Sequence, residues 1–385
     1  MLEQPPLSLY IHIPWCIKKC PYCDFNSHQV KGSFEEDKYT NKLYDDFLVE
    51  LNRLNDKNRE LQSIFIGGGT PSLFRGDSFH FLLTSIRSHL KFSESIEITV
   101  EVNPGAVDSE KFQAYFDAGI NRLSIGVQSF NDKYLSKLGR IHTSADAIKS
   151  IEVAKSAGFE NINLDIMHGL PEQSIASAVE DLRIAVEQSP SHISWYQFTI
   201  EPNTYFYSHP PQLPTENTQD SILKEGTRIL NTHAFSQYEV SAFAQNSMES
   251  SHNYNYWLFG DYLGIGSGAH GKLTFLNENK LIRTNKPKRP DHYMNQALDS
   301  LTQLREISAE ERIVEFLMNA LRLKKGFNQN IFEVRTGNEF SVISSKISKL
   351  IENGLIETKK IQGEHFYCAT NKGYRFLNTL LGEFL

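Results

Sequence analysis

Cysteine is scarce in this chain and is almost confined to one place. The 385 residues include four cysteines, too few and too clustered for a disulfide framework. We therefore expect a reducing compartment, the cytoplasm. A basic excess is also missing, because 39 lysines and arginines face 46 acidic residues and the formal net charge is −7. No overall positive field favours nucleic acid, and we expect no nucleic-acid partner.

Long apolar runs are absent as well. No stretch reaches the roughly 18 residues of a membrane-spanning helix. The N-terminal residues lack a basic region followed by an apolar one, and the cysteines follow too soon for a signal peptide. Peripheral contact with a membrane and a homodimer both stay open. The hydrophobic content of 40% suits a globular protein with two domains, or one barrel-sized domain with an appendix.

Three of the four cysteines, Cys16, Cys20 and Cys23, form a CxxxCxxC segment. Thiolates are the soft ligands of zinc, copper(I) and iron–sulfur clusters. A [4Fe-4S] cluster normally takes four cysteines, so three cysteines would leave one iron open to an outside ligand. The segment therefore predicts a metal centre.

Two other interpretations of the cysteines stay open. His12 or His28 could complete a tetrahedral zinc site. Alternatively, three inert cysteines could share one face of a helix, although Pro14 and Pro21 disfavour a continuous helix there.

The first half of the chain alternates strand and helix patterns, which is typical of a parallel α/β sheet. Polar and glycine-rich residues follow the predicted strands, at the edge where parallel folds carry their sites. The pattern does not choose between a doubly wound sheet and a β/α barrel. The predicted strands cover residues 7–14, 63–66, 96–102, 122–128, 161–167 and 192–200.

Beyond residue 200 the alternation fails. We expect a helix over 218–231, a strand over 238–244 and a basic linker or sheet edge over 280–289. From about residue 308, helices, a hairpin and a last helix over 372–380 resemble a winged-helix module, whose glutamates favour packing or partner contact over DNA. The expected units are residues 1–205, 206–305 and 306–385.

Several residues at the predicted strand ends are candidates for ligand contact. The glycine run of residues 67–71 would let a ligand approach the backbone, and it lacks the Gly-Lys-Ser/Thr ending of a P-loop. Glu101, Gln128, Arg140 and Asp165 follow later strands, and arginine suits a carboxylate because it forms bidentate pairs. Each of these four side chains alone would equally suit a structural ion pair or cap.

CxxxCxxC directly after an apolar strand resembles the radical S-adenosylmethionine (SAM) superfamily. The resemblance implies a partial (β/α)6 barrel with a [4Fe-4S] cluster in the loop after the first strand, and SAM chelating the open iron. It also implies the residues that frame SAM. These are Tyr10, Tyr22, Gly68, Gly69, Thr70, Glu101, Gln128, Arg140 and Asp165.

Within that superfamily, the spacing of the framing residues over about residues 7–375 is similar to that of oxygen-independent coproporphyrinogen III oxidases and their relatives. Those oxidases carry a further cysteine where this chain has Phe25, and they have a longer N-terminal segment. Both departures resemble the related HemW family of haem chaperones, as does an HNxxYW motif at residues 252–257.

The HemW resemblance implies a protein that binds haem and delivers it to acceptor haemoproteins. His252, Tyr256 and Trp257 are its candidate haem contacts, since imidazole ligates haem iron and aromatic rings pack on porphyrin. A loop histidine capped by aromatic residues is the alternative, and His270 is a second, weaker haem candidate. Two alternatives stay open: the protein oxidises coproporphyrinogen III, or it is a zinc-bearing interaction protein. Whether the protein is an enzyme stays open.

Overall fold

The computed structural model describes residues 1–30, 32, 34–54, 56–106 and 108–384. Six neighbouring parallel strands form its centre, in chain order, and confirm the partial barrel. Their bounds are β1 Leu7–Ile13, β2 Leu61–Gly68, β3 Phe92–Val102, β4 Arg122–Gln128, β5 Asn161–His168 and β6 His192–Gln197. The sixth strand ends three residues before the predicted position.

Helices connect and cover these strands. Asp108 caps the helix that begins at Ser109, because its side chain accepts the backbone N–H of Lys111 at 2.9 Å. The helices of this half are α1 Glu36–Leu51, α2 Gly76–Arg87, α3 Ser109–Asp117, α4 Asp132–Lys137, α5 Ser144–Ser156, α6 Ile175–Glu187, α7 Tyr205–Ser208 and α8 Glu216–Thr232.

The two faces of the barrel wall differ in polarity. Leu9 and Ile11 of β1 belong to the apolar core beneath the helices. Since side chains alternate along a strand, Ser8 and Tyr10 point to the other face, the barrel interior. There the Ser8 hydroxyl lies 2.7 Å from the Ser63 hydroxyl of β2. The barrel therefore encloses a polar interior.

Short strands extend the sheet on both sides. Next to β6 lie β8 Ala242–Ala244 and then β7 Ser236–Gln237. The prediction of one strand over 238–244 was wrong, because the chain turns at Glu239, whose buried carboxylate accepts the Ser241 N–H at 2.9 Å.

On the other side, β9 Asp261–Ile265 pairs in parallel with β1. Three antiparallel strands follow it outward: β10 His270–Phe275, β11 Lys280–Asn285 and β12 Gln303–Glu306, with α10 Pro290–Asn295 before the last. The sheet edge expected over 280–289 is instead β11, one strand in from the edge, followed by a buried ion pair. Lys286 lies 2.5 Å from Asp46 and 2.6 Å from Glu50.

One short helix, α9 Ser251–Trp257, fills the barrel interior near the amino ends of the strands. The carboxylate of Glu97 on β3 accepts the backbone N–H groups of Ser251 and His252, at 3.0 and 3.1 Å. Helix N-termini favour negative charge, so this buried carboxylate fixes the start of α9. The predicted haem motif is therefore helical and lies inside the barrel.

The C-terminal unit has the element order of a winged helix: α11 Ala309–Ala320, β13 Phe327–Asn328, α12 Gln329–Thr336, α13 Ser341–Glu352, and the hairpin β14 Ile356–Ile361 with β15 Glu364–Ala369. The predicted last helix is two, α14 Asn371–Arg375 and α15 Leu377–Gly382, since the backbone leaves helical geometry at Phe376. No helix among the described residues is long and apolar enough to cross a membrane.

Candidate functional site

A cavity of about 690 Å³ opens at the carboxyl ends of the barrel strands and reaches down to α9. This is the edge at which parallel α/β folds place ligands. Most of the predicted site residues line it: Cys16, Cys20, Tyr22, Cys23, Gly68, Gly69, Thr70, Glu101, Gln128, Arg140, Asp165 and Trp257. Tyr10, His252 and Tyr256 are not among the lining residues.

The three clustered cysteines lie in an irregular loop. Cys16 ends a short strand, Trp15–Cys16, that pairs with His28–Gln29. Cys20 and Cys23 bracket a turn closed by a 3.1 Å hydrogen bond from the Cys23 N–H to the Cys20 carbonyl. The structure therefore excludes three inert cysteines on one helix face.

Asn26 anchors the far end of this cysteine loop. Its carbonyl accepts from Nε2 of His12 at 2.8 Å, and Nδ1 of His12 accepts from the Tyr10 hydroxyl at 2.9 Å. The Asn26 side-chain amide donates to the carbonyls of Ser267 and Lys288, at 2.9 and 3.0 Å. The glycine-rich segment before β10 therefore holds the cysteine loop. No sequence motif marked Asn26, which lies three residues after the last cysteine.

The donor set suits an iron–sulfur cluster better than a single zinc ion. Cys16, Cys20 and Cys23 are free thiols beside an open cavity, and burial raises the pKa of Cys16 and Cys23. Both ring nitrogens of His12 already form hydrogen bonds. Among the described residues no three His, Cys, Asp or Glu side chains come close enough to share one metal ion. Three thiolates of a cluster bind separate irons and need no such convergence.

The glycine run lies tightly against the start of the cysteine loop. A Cβ atom on Gly69 would lie 2.6 Å from the Trp15 carbonyl oxygen. Gly68 has φ +116°, and a Cβ there would lie 2.5 Å from the His12 ring. Both positions require glycine, and the backbone that they shape faces the cavity.

Glu101 ties the glycine run to the end of β3. Its carboxylate accepts the Gly68 N–H at 2.9 Å. Burial, and then the nearby Asp165, raise the pKa of Glu101 to about 7. A buried carboxyl that titrates near neutrality is suited to exchange hydrogen bonds with a hydroxyl-bearing ligand, as donor or acceptor.

Asn103 connects two predicted site residues. Its amide donates to the Thr70 hydroxyl at 3.0 Å and its carbonyl accepts from Arg140 Nη2 at 2.6 Å. Arg140 also lies 3.9 Å from the Cys20 sulfur, and its buried Nε has no hydrogen-bond partner among the described residues. A carboxylate placed in the cavity would satisfy that donor.

The remaining polar wall comes from β4 to β6. Asp165 accepts from the Ser124 hydroxyl at 2.8 Å and from the Asn163 amide at 2.9 Å, and burial raises its pKa. Gln128 accepts from the Tyr196 hydroxyl at 2.6 Å and has a left-handed backbone, φ 68°. Strained non-glycine residues of this kind cluster at ligand sites.

The two predicted tyrosines have different positions. Tyr22 faces the cavity from the cysteine loop, with its ring 6.1 Å from that of Phe198. Tyr10 points into the barrel interior, between Phe65 and His252, and its hydroxyl donates to His12. Tyr10 is not among the residues that line the cavity, and its predicted contact with SAM stays a prediction.

The structure separates the three predicted haem contacts. His252 is buried, and its Nδ1 lies 3.1 Å from the Ser63 hydroxyl. Asn255 donates to Ser8 at 2.9 Å, and Ser8 lies 2.7 Å from Ser63, which completes a chain of hydrogen bonds between α9 and the barrel wall. Burial lowers the pKa of His252 to about 3. In this arrangement Nδ1 of His252 joins α9 to the barrel wall, and contact of His252 with haem stays a prediction.

Trp257 and Tyr256 face two different cavities. Trp257 lines the cavity, and the Arg322 guanidinium lies 4.6 Å from its ring centroid. Arg322 precedes the winged-helix strands, so this contact joins α9 to the C-terminal unit. Tyr256 faces a second concavity, on the sheet extension.

The radical SAM superfamily model matches residues 10–185, and the HemN C-terminal domain model matches residues 307–376. A solved structure of coproporphyrinogen III oxidase (HemN) from Escherichia coli shares the fold with a TM-score of 0.80 at 21% identity, covering 99% of this chain and 90% of that one. The fold and the cysteine-lined cavity thus define a radical SAM protein.

Curated relatives narrow the class. The heme chaperone HemW of Haemophilus influenzae is 46% identical, with 100% of this chain and 99% of the relative covered. The heme chaperone HemW proteins of Escherichia coli and Bacillus subtilis are 44% and 34% identical, covering 100% and 98% of this chain and 100% and 99% of the relatives. The chain belongs to the HemW family.

Proposed function

We propose that this protein binds haem as its cargo and passes it to acceptor haemoproteins, with a SAM-coordinated [4Fe-4S] cluster as its resident cofactor. Full-length identity of 46% and 44% to proteins named heme chaperones carries the proposal. Phe25 supports it too, because an exposed phenylalanine stands where the resembling oxidases have a cysteine.

Cys16, Cys20 and Cys23 would hold the cluster. The reduced cluster and SAM together supply one-electron chemistry when bound. The backbone at Gly68 and Gly69 would receive the amino end of SAM, and Arg140 would orient its carboxylate through the unpartnered Nε.

Other groups of the cavity would bind the rest of SAM. Glu101, Gln128 and Asp165 present oxygen atoms suited to ribose hydroxyls, and Tyr22 a flat face for the adenine. Thr70 would contact SAM beside Gly68 and Gly69.

The working units would be the barrel with its cofactor site, residues 1–205, the extension with the HNxxYW motif, residues 206–305, and the winged-helix-like residues 306–385. We assign the protein to the reducing cytoplasm, since its four cysteines are free thiols. Membrane-surface contact and a homodimer stay predictions, as does the absence of nucleic-acid binding.

The test is a haem titration of the anaerobically reconstituted full-length protein, with and without SAM, followed by addition of an apo-haemoprotein. We expect saturable haem binding and appearance of the acceptor's holo spectrum. A Cys20→Ala variant should lose iron and acid-labile sulfide, whereas Cys368→Ala, which removes the cysteine of the C-terminal hairpin, should keep both. Failure to bind haem or to load the acceptor would contradict the proposal.

The rival function is oxidative decarboxylation of coproporphyrinogen III. Incubation of the same preparation with coproporphyrinogen III, SAM and a reductant distinguishes the two. Steady formation of protoporphyrinogen would establish the oxidase instead.

A further inference from the structure

A second concavity, of about 520 Å³, lies on the sheet extension, apart from the SAM cavity. Strand register shows how it forms. Lys272 pairs with Tyr262 and with Arg283, and Arg283 pairs with Arg305, so these side chains share one face of the sheet. Helices α9 and α11 bound that face through Tyr256 and Glu315. Its volume falls within the roughly 300–1,000 Å³ of ligand pockets.

Aromatic rings form one wall of this groove. The Tyr256 and Tyr262 ring centroids are 5.2 Å apart at an interplanar angle of 44°, and Trp257 stands perpendicular behind Tyr256. Leu304 on the edge strand is 55% exposed at the rim. The groove therefore offers a planar ligand the partly exposed ring of Tyr256 and the side chain of Leu304, while Tyr262 itself is buried.

His270 provides a free imidazole at the end of the groove. It is exposed at the start of β10, and no hydrogen bond to its ring occurs within the part of the chain that the structure describes. Burial of part of the ring, and then Arg283 and Lys288, lower its pKa. The imidazole is thus neutral near pH 7, the form that ligates a metal.

Two arginines line the groove, and both contact Glu315. Arg283 donates to the Tyr262 hydroxyl at 2.6 Å and to Glu315 at 2.6 Å, which fixes its guanidinium. The Arg305 side chain is 55% exposed and contacts Glu311 and Glu315 from the edge strand. Arg305 can therefore turn toward an anionic group at the rim, while Arg283 stays in place.

We propose that this groove is the haem-docking site, with His270 as the axial ligand of the iron and Arg305 and Arg283 facing the propionates. The proposal rests on the proposed haem-chaperone function. The site explains why Tyr256 of the HNxxYW motif points away from the SAM cavity. It also differs from the sequence-based expectation, in which His252 ligates haem, since His252 is enclosed by Ser63 and the rings of Tyr10 and Phe65.

The groove suits haem better than the larger cavity does. The larger cavity is already assigned to the cluster and SAM, through the three cysteines, the glycine run and Arg140 that line it. The groove combines an imidazole, aromatic faces and arginines, the three kinds of group that haem recognition uses.

The experiment is a haem titration of reconstituted full-length protein followed by absorption spectroscopy. His270→Ala should weaken haem binding at least about tenfold and change the spectrum, and free imidazole should restore it. His365→Ala, an exposed histidine on the C-terminal hairpin, is the matched control and should match the wild type. Arg305→Glu should weaken the binding of haem but not of haem dimethyl ester, which lacks free propionates.

The outcomes separate the site from the function. Wild-type protein that binds haem, with His270→Ala unchanged in affinity and spectrum, would overturn this groove and leave the chaperone proposal standing. Wild-type protein that binds no haem would overturn both. Loss of binding in His270→Ala with an unchanged circular dichroism spectrum and imidazole rescue supports His270 as ligand.

Discussion

The carboxylate of Glu97 accepts the backbone N–H of His252 at 3.1 Å inside the barrel. Arg122 lies 3.8 Å from the same carboxylate, and both side chains are buried. Glu97 thus links the start of α9 to Arg122 of the barrel wall. The position of the haem motif depends on this carboxylate.

Glu97→Ala should lower the free energy of unfolding by about 3–5 kcal/mol, because it leaves Arg122 buried without its partner and removes the acceptor of two helix N–H groups. Urea denaturation measures this change. Glu94→Ala, on the exposed part of the same strand, should have an effect close to zero. Equal stability of the two variants would show that α9 does not depend on the carboxylate.

His252→Ala should destabilise the protein by about 2–4 kcal/mol, since it creates a buried void and removes one of the two hydrogen-bond partners of Ser63. Haem affinity should stay within about threefold of wild type at temperatures where the variant is folded. Asn253→Ala, the adjacent half-buried residue, is the control for stability. Loss of haem binding by a fully folded His252→Ala protein would restore His252 as a direct haem contact.

Asn103→Ala should weaken SAM binding about tenfold, equivalent to roughly 1.4 kcal/mol, because Arg140 and Thr70 lose their common partner. Calorimetric titration of the cluster-loaded protein with SAM tests this expectation. Asn103→Asp keeps the acceptor for Arg140 and should recover part of the affinity. Iron content should be the same in both variants. A drop in iron would show that the substitution acts by disturbing the cysteine loop and not by weakening SAM binding directly.

Glu101→Gln should make the unfolding free energy less dependent on pH. The carboxyl has its pKa raised from 4.5 to about 7 in the folded protein. Its contribution is therefore fully present below 4.5 and is lost as the pH rises through 7. The neutral variant should match wild type at about pH 4.5 and exceed it by about 3 kcal/mol at about pH 8.5. A constant difference between the two proteins across that range would contradict the shifted pKa.

Sequence periodicity was sufficient for the alternation of strands and helices, whereas the choice of a barrel over a doubly wound sheet came from the family resemblance. The strands of residues 7–13 and 122–128 are apolar runs between helical patterns, and their order along the sheet follows from right-handed βαβ connections. The cysteines and glycines of the cavity were also predictable, because their spacing places them after the first two strands. The structure puts them in one cavity, which the pattern alone did not require.

Contacts between distant residues were not predictable. Helix α9 has no apolar periodicity, and its helical form depends on Glu97 and Ser63, more than 150 residues earlier. Lys286 belongs to a basic segment that looks like a linker, yet it is buried against Asp46 and Glu50. Asn103 precedes Pro-Gly and indicates only a turn. A side chain whose partners come from other strands gives no local signal.

The cysteine loop contacts the segment that precedes His270, through Asn26. Asn26 donates to the Ser267 carbonyl, and a Cβ on Gly268 would overlap its amide, so the cysteine loop lies directly on the chain that leads into His270. If a change in cysteine-loop conformation alters the affinity for haem, bound haem must shift the equilibrium between those loop conformations by the same factor, because coupling free energies are reciprocal. Release of haem and binding of the cluster and SAM would then be coupled through the same conformational equilibrium. Delivery of haem could be controlled from the cluster without any moving domain.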